Sequence, residues 1–198
     1  MQKFTVHHGT AAPLRRSEID TDQLIPGEYC KRVGRTGYAD ALFANWRDDP
    51  GYLLARPEYR NASVLVAGPH FGIGSSREHA VWALLDHGFR VIVAPSFSDI
   101  FRGNALNNGL LPVEIPQAGV ERCWNLAEED PATVFTVDLE QCVLRCRDAE
   151  IPFSVNEYSR RRLLHGLDDI ATTLSHAADI SSYEQRRPAW LPRTLPAI

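Results

Sequence analysis

No Cys-x-x-Cys pair and no His-x-x-x-His pair occurs in this chain, whose four cysteines stand at positions 30, 123, 142 and 146. A zinc site of ordinary ligand spacing is thereby excluded. Cys142 and Cys146 share parity on an expected strand, which puts them on one face about two pleats apart, too far for a disulfide. Four reduced, partly buried thiols are the expected state. An iron–sulfur cluster held by this chain alone is not expected, because such clusters need several closely spaced thiolates.

Long apolar runs are missing as well. The opening stretch MQKFTVHHGTAA lacks the apolar core of a signal peptide, and no segment approaches the roughly 20 apolar residues that cross a bilayer. A cytoplasmic location is the resulting expectation. Positive charge is not in excess either: the net charge is −4, which argues against nucleic acid as the main partner. Two short basic runs, Arg160-Arg161-Arg162 and Arg186-Arg187, fall in expected helices among Glu, Gln and Ser, and read as solvated faces. There is no internal repeat and no low-complexity tract.

What is present suits one folded domain. Of 198 residues, 44% are apolar and 23% charged, ordinary values for a water-soluble globular chain. The middle of the sequence carries the clearest pattern. VLVA (64–67) is wholly apolar, GPHFGIG (68–74) interrupts it, and SSREHAVWALLDH (75–87) places Ala80, Val81, Leu84 and Leu85 at helical spacing up to Gly88. VIVA (91–94) follows, so the unit reads as strand, helix, strand on a buried parallel sheet. A second helix over 96–108, stopped by Gly109, and a short strand in LLPVEI (110–115) continue the α/β pattern. Residues 4–6 and 14–25 read as a strand and a turn, and 27–51 as an unusually long loop, of a length that is uncommon unless functional or mobile. TVFTVDL and CVLRC form an expected hairpin turning near Glu140-Gln141. Residues 151–198 read as a helical C-terminal extension broken at Gly166, with a proline-rich end, PAWLPRTLPAI, that cannot be helical.

The stretch FGIGSSREHA (71–80) holds the chemistry. Ser75-x-x-Glu78 has the spacing of a capping box, in which serine and glutamate satisfy each other's backbone amides. A cap does not account for the seven-residue loop before it, three of whose residues are glycine. Glycines admit close approach of a ligand to backbone, and a helix N-terminus offers free amides and partial positive charge to an anion. Arg77 adds a full charge, and the carboxyl end of a parallel strand is where ligands bind. Nucleotides are excluded by spacing: a phosphate loop begun at Gly68 needs glycine where Ile73 stands, and a dinucleotide fingerprint begun at Gly72 needs glycine where Arg77 stands. The expected ligand is a small carboxylate or phosphate. Two hydroxyls beside a guanidinium suit removal of a proton next to a carboxylate, with the helix amides stabilising the serine oxyanion.

These residues resemble the swivelling domain of the aconitase superfamily, whose signature is G-S-S-R-E-H/Q-A. More specifically the chain resembles the small subunits of bacterial 3-isopropylmalate dehydratase (isopropylmalate isomerase). APLRRSEIDTDQLIP (12–26), RTGYADALFANWR (35–47), the run from Gly68 to Ile115, HGLDDIATTL and YEQRRPAWLP all agree, so nearly the whole length takes part. The resemblance implies an aconitase-type swivelling β/β/α domain over 1–150 with a mobile substrate loop near 27–51, and a helical extension over 151–198 on the same domain. It implies a cytoplasmic hydro-lyase of leucine biosynthesis, converting 2-isopropylmalate to 3-isopropylmalate through 2-isopropylmaleate. Activity would require a large subunit that carries a [4Fe-4S] cluster.

By the same resemblance Ser75 is the catalytic base, Ser76, Arg77 and the Gly74 backbone hold a substrate carboxylate, and Lys31 and Arg32 read the substrate from the loop. Asp20, Asp22, His70 and Arg35 stand behind these or on the loop. Glu78 and His79 are expected as cap and helix surface. The chain departs from the usual pattern at Glu18, Cys30 and His70, where asparagine, leucine and asparagine are common. Two rivals remain at this point: the same architecture acting on another hydroxy-diacid, and a non-catalytic module that senses a small anion. Trp190 is either a docking point for a partner or packed on its own core.

Overall fold

The computed structural model describes residues 1–192, and the end of the proline-rich tail lies outside the described residues. Seven strands form one mixed sheet: β1 (Val6–Leu14), β2 (Val64–Ala67), β3 (Val91–Ala94), β4 (Leu111–Glu114), β5 (Val134–Asp138), β6 (Val143–Cys146) and β7 (Ala149–Pro152). Their order is β4-β3-β2-β1-β5-β6-β7. β1 is the pivot. Ala11 to Leu14 pair in parallel with β2, whereas Val6 to Thr10 pair antiparallel with β5. One half of the sheet is therefore parallel and crossed by helices, and the other is antiparallel, with only β5, β6 and β7 joined by tight turns.

The two apolar runs VLVA and VIVA are strands to the residue, buried along their whole length. Both faces of the parallel half are covered, as continuous apolar strands require. The pleat divides their side chains: Leu65, Ala67, Ile92 and Ala94 join one core with Phe71, Leu84 and Phe101, while Val64, Val66, Val91 and Val93 join the other with Val120 and Trp124. Between the strands run α2 (Glu78–His87) and α3 (Asp99–Asn108), closed by Gly88 and Gly109 in the left-handed conformation expected of helix stops. The second core is covered by a thirteen-residue helix, α4 (Gln117–Glu129), which has no counterpart among the sequence expectations. Its signal was available in Val120, Cys123, Trp124 and Ala127, all buried and spaced three, one and three apart. Trp124 closes the contact by donating its indole N–H to the Val66 carbonyl at 2.8 Å.

The N-terminal region differs from the expected strand and turn. β1 runs through to Leu14, and the next segment forms one helical turn, α1 (Thr21–Leu24), then a 3₁₀ helix over Gly27–Lys31. The long loop expected over 27–51 is not uniform. Residues 31–37 are exposed, but Tyr38, Ala41, Leu42 and Phe43 are among the most buried side chains of the chain. Apolar residues in that stretch have no helical or strand period, so their burial was not visible locally. Cys142, expected on a strand beside Cys146, lies outside β6 with φ 52.

The extension comprises α5 (Glu157–His165), α6 (Asp169–Leu174) and α7 (Ala177–Arg186). Its basic run is not the solvated face that was expected. Arg162 is only 7% exposed. It donates to the Leu167 carbonyl and to Asn107 Oδ1, and it pairs with Asp169 at 2.8 Å. Arg160 donates to the carbonyls of Leu139 and Glu140. These arginines fasten the extension to the domain. Replacing Arg162 with methionine keeps much of the buried volume but strands two acceptors, so we expect a loss of about 2 kcal/mol in a denaturation experiment. Trp190 is 81% exposed and does not pack on its own core.

Candidate active site

The loop from Gly68 to Arg77 leaves the carboxyl end of β2 and is sewn to its neighbours by backbone bonds. Glu18 donates to Pro69, Gly72 to Ile19 and Thr21 to Ile73 on one side, at 2.7–2.9 Å. On the other, Phe71 donates to Ser96 and Ser98 to Phe71. Single parallel bridges, Asp20 with Ile73 and Phe71 with Phe97, extend the order β3-β2-β1 beyond its strands. The loop is thus a continuation of the sheet edge, which makes it a rigid platform.

Gly74, Ser75 and Ser76 lie exposed at the end of this platform. The Ser75 carbonyl accepts a 2.9 Å hydrogen bond from the hydroxyl of Thr21, a residue only 2% exposed. Thr21 was not singled out from the sequence, because nothing local tells a buried threonine that grips a remote carbonyl from an ordinary helix-start residue. Thr21→Val should cost about 1 kcal/mol of stability. Freeing the Ser75 backbone should lower kcat about tenfold, in assays of the assembled enzyme.

The expected capping box at Ser75 and Glu78 does not form. α2 begins at Glu78 with Arg77 as its first flanking residue, and no side chain caps it. Glu78 instead accepts from Asn108 Nδ2 at 2.7 Å, and Asn108 Oδ1 accepts from the Trp82 indole, so these groups tie α2 to α3. The result is a row of helix N-terminal amides without a side-chain partner beside two exposed serines, the arrangement that receives an anion. The capping box is found one element earlier, where Asp20 accepts from the Gln23 amide and Gln23 accepts from the Asp20 amide. Asp20 therefore shapes α1.

Arg77 pairs with Asp22 and also donates to the Ile25 carbonyl at 3.2 Å. The hydrogen bond to Asp22 raises the guanidinium's pKa further, so its charge is permanent. Both contacts use Nη1, so Nη2, which lies beside Gly27, makes no hydrogen bond among the described residues. His70 adopts a left-handed backbone with φ 61, a conformation that asparagine and histidine tolerate better than most residues. Its amide donates to Ser96 Oγ at 2.9 Å, and that hydroxyl lies 3.4 Å from His70 Nδ1. His79 packs in an aromatic group with Tyr38 and Trp82, at 5.5 and 4.7 Å between ring centres.

The profile for the aconitase C-terminal domain matches residues 1–118, and that for the C-terminal domain of the 3-isopropylmalate dehydratase small subunit matches residues 169–197. The 3-isopropylmalate dehydratase small subunit of Acidothermus cellulolyticus is 58% identical over 98% of this chain and 98% of its own. That of Salinispora arenicola is 57% identical over 97% and 98%. The chain belongs to the 3-isopropylmalate dehydratase small-subunit family. A solved 3-isopropylmalate dehydratase structure from Methanocaldococcus jannaschii superposes with a TM-score of 0.66 at 25% identity, covering 89% of this chain and 98% of that one. The aconitase-type α/β architecture expected from the sequence is thereby established.

In this chain the loop residues take unequal places. Lys31 is exposed and makes no ion pair among the described residues. Arg35 is exposed, with its guanidinium 5.9 Å from the Trp82 ring centre. Arg32, expected to reach for substrate, is engaged within its own loop by Asp40 at 2.6 Å. Burial pushes the Cys123 thiol up to about 12 and the Cys146 thiol up to about 11, so both are neutral near pH 7. Among the described residues no group of three or more His, Cys, Asp or Glu is placed to hold a metal ion, and no helix is long and apolar enough to cross a membrane.

Proposed function

We propose that this chain is the small subunit of a two-component hydro-lyase that converts 2-isopropylmalate to 3-isopropylmalate through 2-isopropylmaleate in leucine biosynthesis, in the cytoplasm. The observation that carries the reading is the group at the head of α2: exposed Ser75 and Ser76, Arg77 held by Asp22, and helix amides that no side chain caps. The near-full-length identity to named small subunits supports the substrate class.

In this reading Arg77, Ser76 and the Gly74 backbone fix one carboxylate of the substrate. Ser75 takes the proton from the carbon beside that carboxylate and later returns one. The amides at the start of α2 and the charge of Arg77 offset the cost of an anionic serine oxygen, which is too basic to persist in water. The hydroxyl departs on the face that this chain leaves open to its large-subunit partner. The [4Fe-4S] cluster implied by the resemblance is assigned to that partner. Water then adds to the unsaturated diacid in the opposite sense.

The test is anaerobic ultraviolet detection of the unsaturated diacid formed from isopropylmalate, with this chain alone and with a cluster-loaded large subunit. Turnover only in the mixture supports the reading. A stable complex without turnover points to another hydroxy-diacid, and absence of a complex together with tight binding of a small anion to the free chain points to a sensing module.

A further inference from the structure

The exposed part of the expected substrate loop is closed into an arch by one ion pair. Arg32 Nη1 and Nη2 donate to the two oxygens of Asp40, both at 2.6 Å, and Nη1 also donates to the Gly37 carbonyl at 2.7 Å. This is the fork geometry that only a planar guanidinium provides. The Arg32 guanidinium also lies 4.8 Å from the Tyr29 ring centre and 5.8 Å from that of Tyr38. Tyr38 is fully buried. Its hydroxyl is 3.1 Å from the carbonyl oxygens of Arg32 and Gly34 and shares its hydrogen between them, while its amide donates to Asp86 Oδ2 of α2 at 2.8 Å. The hydrogen bond to Asp40 raises the pKa of Arg32, and the hydrogen bond to Arg32 lowers that of Asp40, so both stay charged across the working range.

The arch is also tied to the site itself. Tyr38 packs on His79 in the first turn of α2, Arg35 lies over Trp82 one turn further, and Gly27, which opens the 3₁₀ helix leading into the arch, faces Arg77 Nη2. With the charge of Arg32 cancelled by Asp40, the cations this loop still presents are Lys31 and Arg35, either side of a fully exposed Val33.

We infer that the Arg32–Asp40 pair is a positioning lock: it holds the 31–37 arch preformed over the Ser75–Arg77 platform, so that Lys31 and Arg35 meet the substrate without first being ordered. Arg32 acts through the loop and does not touch substrate. The inference rests on the functional reading above and adds to it which cations face the diacid. Preforming the arch removes an ordering cost that substrate binding would otherwise meet, and its loss appears in KM more than in kcat.

The experiment compares Arg32→Gln, Asp40→Asn, the double variant and Arg32→Lys in the assembled enzyme, together with the rate of tryptic cleavage after Arg35 in the free chain. Each single variant should raise KM about tenfold with kcat within about twofold, and the double variant should be no worse than the poorer single one. Arg32→Lys, which keeps the charge but not the fork, should fall between. Cleavage after Arg35 should speed up about tenfold in both single variants. An Asp40→Asn enzyme with unaltered KM beside a damaged Arg32→Gln enzyme overturns the lock and makes Arg32 a direct ligand. Faster cleavage with no change in KM overturns it as well, leaving the pair purely structural. A wild-type complex inactive on isopropylmalate overturns the functional reading instead, and the KM comparison then runs on the hydroxy-diacid it does convert.

Discussion

Ser75→Ala is expected to reduce kcat of the assembled enzyme by at least about a thousandfold, because it removes the only atom proposed to accept and return the proton. The substitution should leave the fold alone. The Ser75 side chain makes no hydrogen bond among the described residues and the residue is exposed; its fixed point is the backbone carbonyl held by Thr21, which alanine retains. The large subunit should therefore bind as before by gel filtration, and the thermal midpoint should move by less than about 1 °C. The measurement is the anaerobic ultraviolet assay run on complexes of confirmed composition. An alanine enzyme retaining a tenth of the activity would remove Ser75 from proton transfer and leave it as part of the anion cradle. Ser76→Ala in the same assay should act mainly through KM, since that hydroxyl is assigned to holding the carboxylate.

The largest expected loss of stability is at Gly72. Its φ of +76 is already unfavourable for an L side chain, at about 1 kcal/mol. A Cβ there would also lie 2.3 Å from Cγ and 2.5 Å from Cβ of Phe101. Phe101 cannot swing aside: it is 2% exposed, packed edge-on against Phe71 at 5.1 Å and parallel to Phe97 at 6.2 Å. Something in the α3 contact must shift, so Gly72→Ala should cost roughly 3–5 kcal/mol, or about 8–15 °C in the thermal midpoint for a chain of this size. Gly88→Ala is the control. Gly88 also has a positive φ, +116, but nothing lies within 4 Å of its would-be Cβ. It should cost only about 1 kcal/mol. Equal losses at the two sites in calorimetry would mean that backbone conformation, and not the approach of α3, explains Gly72.

Much of the fold was legible because several segments carry their own period and their own stops. VLVA, the α2 pattern ending at Gly88, VIVA and the hairpin near Glu140 are local signals, and each appears where it was expected. α4 carries a local signal too, since Val120, Cys123, Trp124 and Ala127 have helical spacing. Arg162 misled for a different reason. A basic triplet in an amphipathic helix resembles a solvated face, and only the docking of α5 near Asn107 and Asp169 makes its middle turn an anchor.

The site shows the same division. That Ser75, Ser76 and Arg77 stand just ahead of a helix, as candidates to receive an anion, follows from glycine spacing, residue chemistry and the helix pattern behind them. Those signals lie within about ten residues of one another, where the chain's own covalent geometry sets what can meet. Which groups support them was decided by the tertiary structure. Thr21 reaches Ser75 across 54 residues, Asp22 reaches Arg77 across 55, and Tyr38 meets Asp86 across 48. The absent cap on α2 belongs to this second class: Glu78 has the right spacing for a capping box, but Asn108 on α3 holds its carboxylate instead. Local sequence determined the strand, the helix and the chemistry at its head. Folding determined that the buried Thr21 hydroxyl and the Asp22 carboxylate hold those residues in place, because such contacts are set by how the sheet brings distant segments side by side.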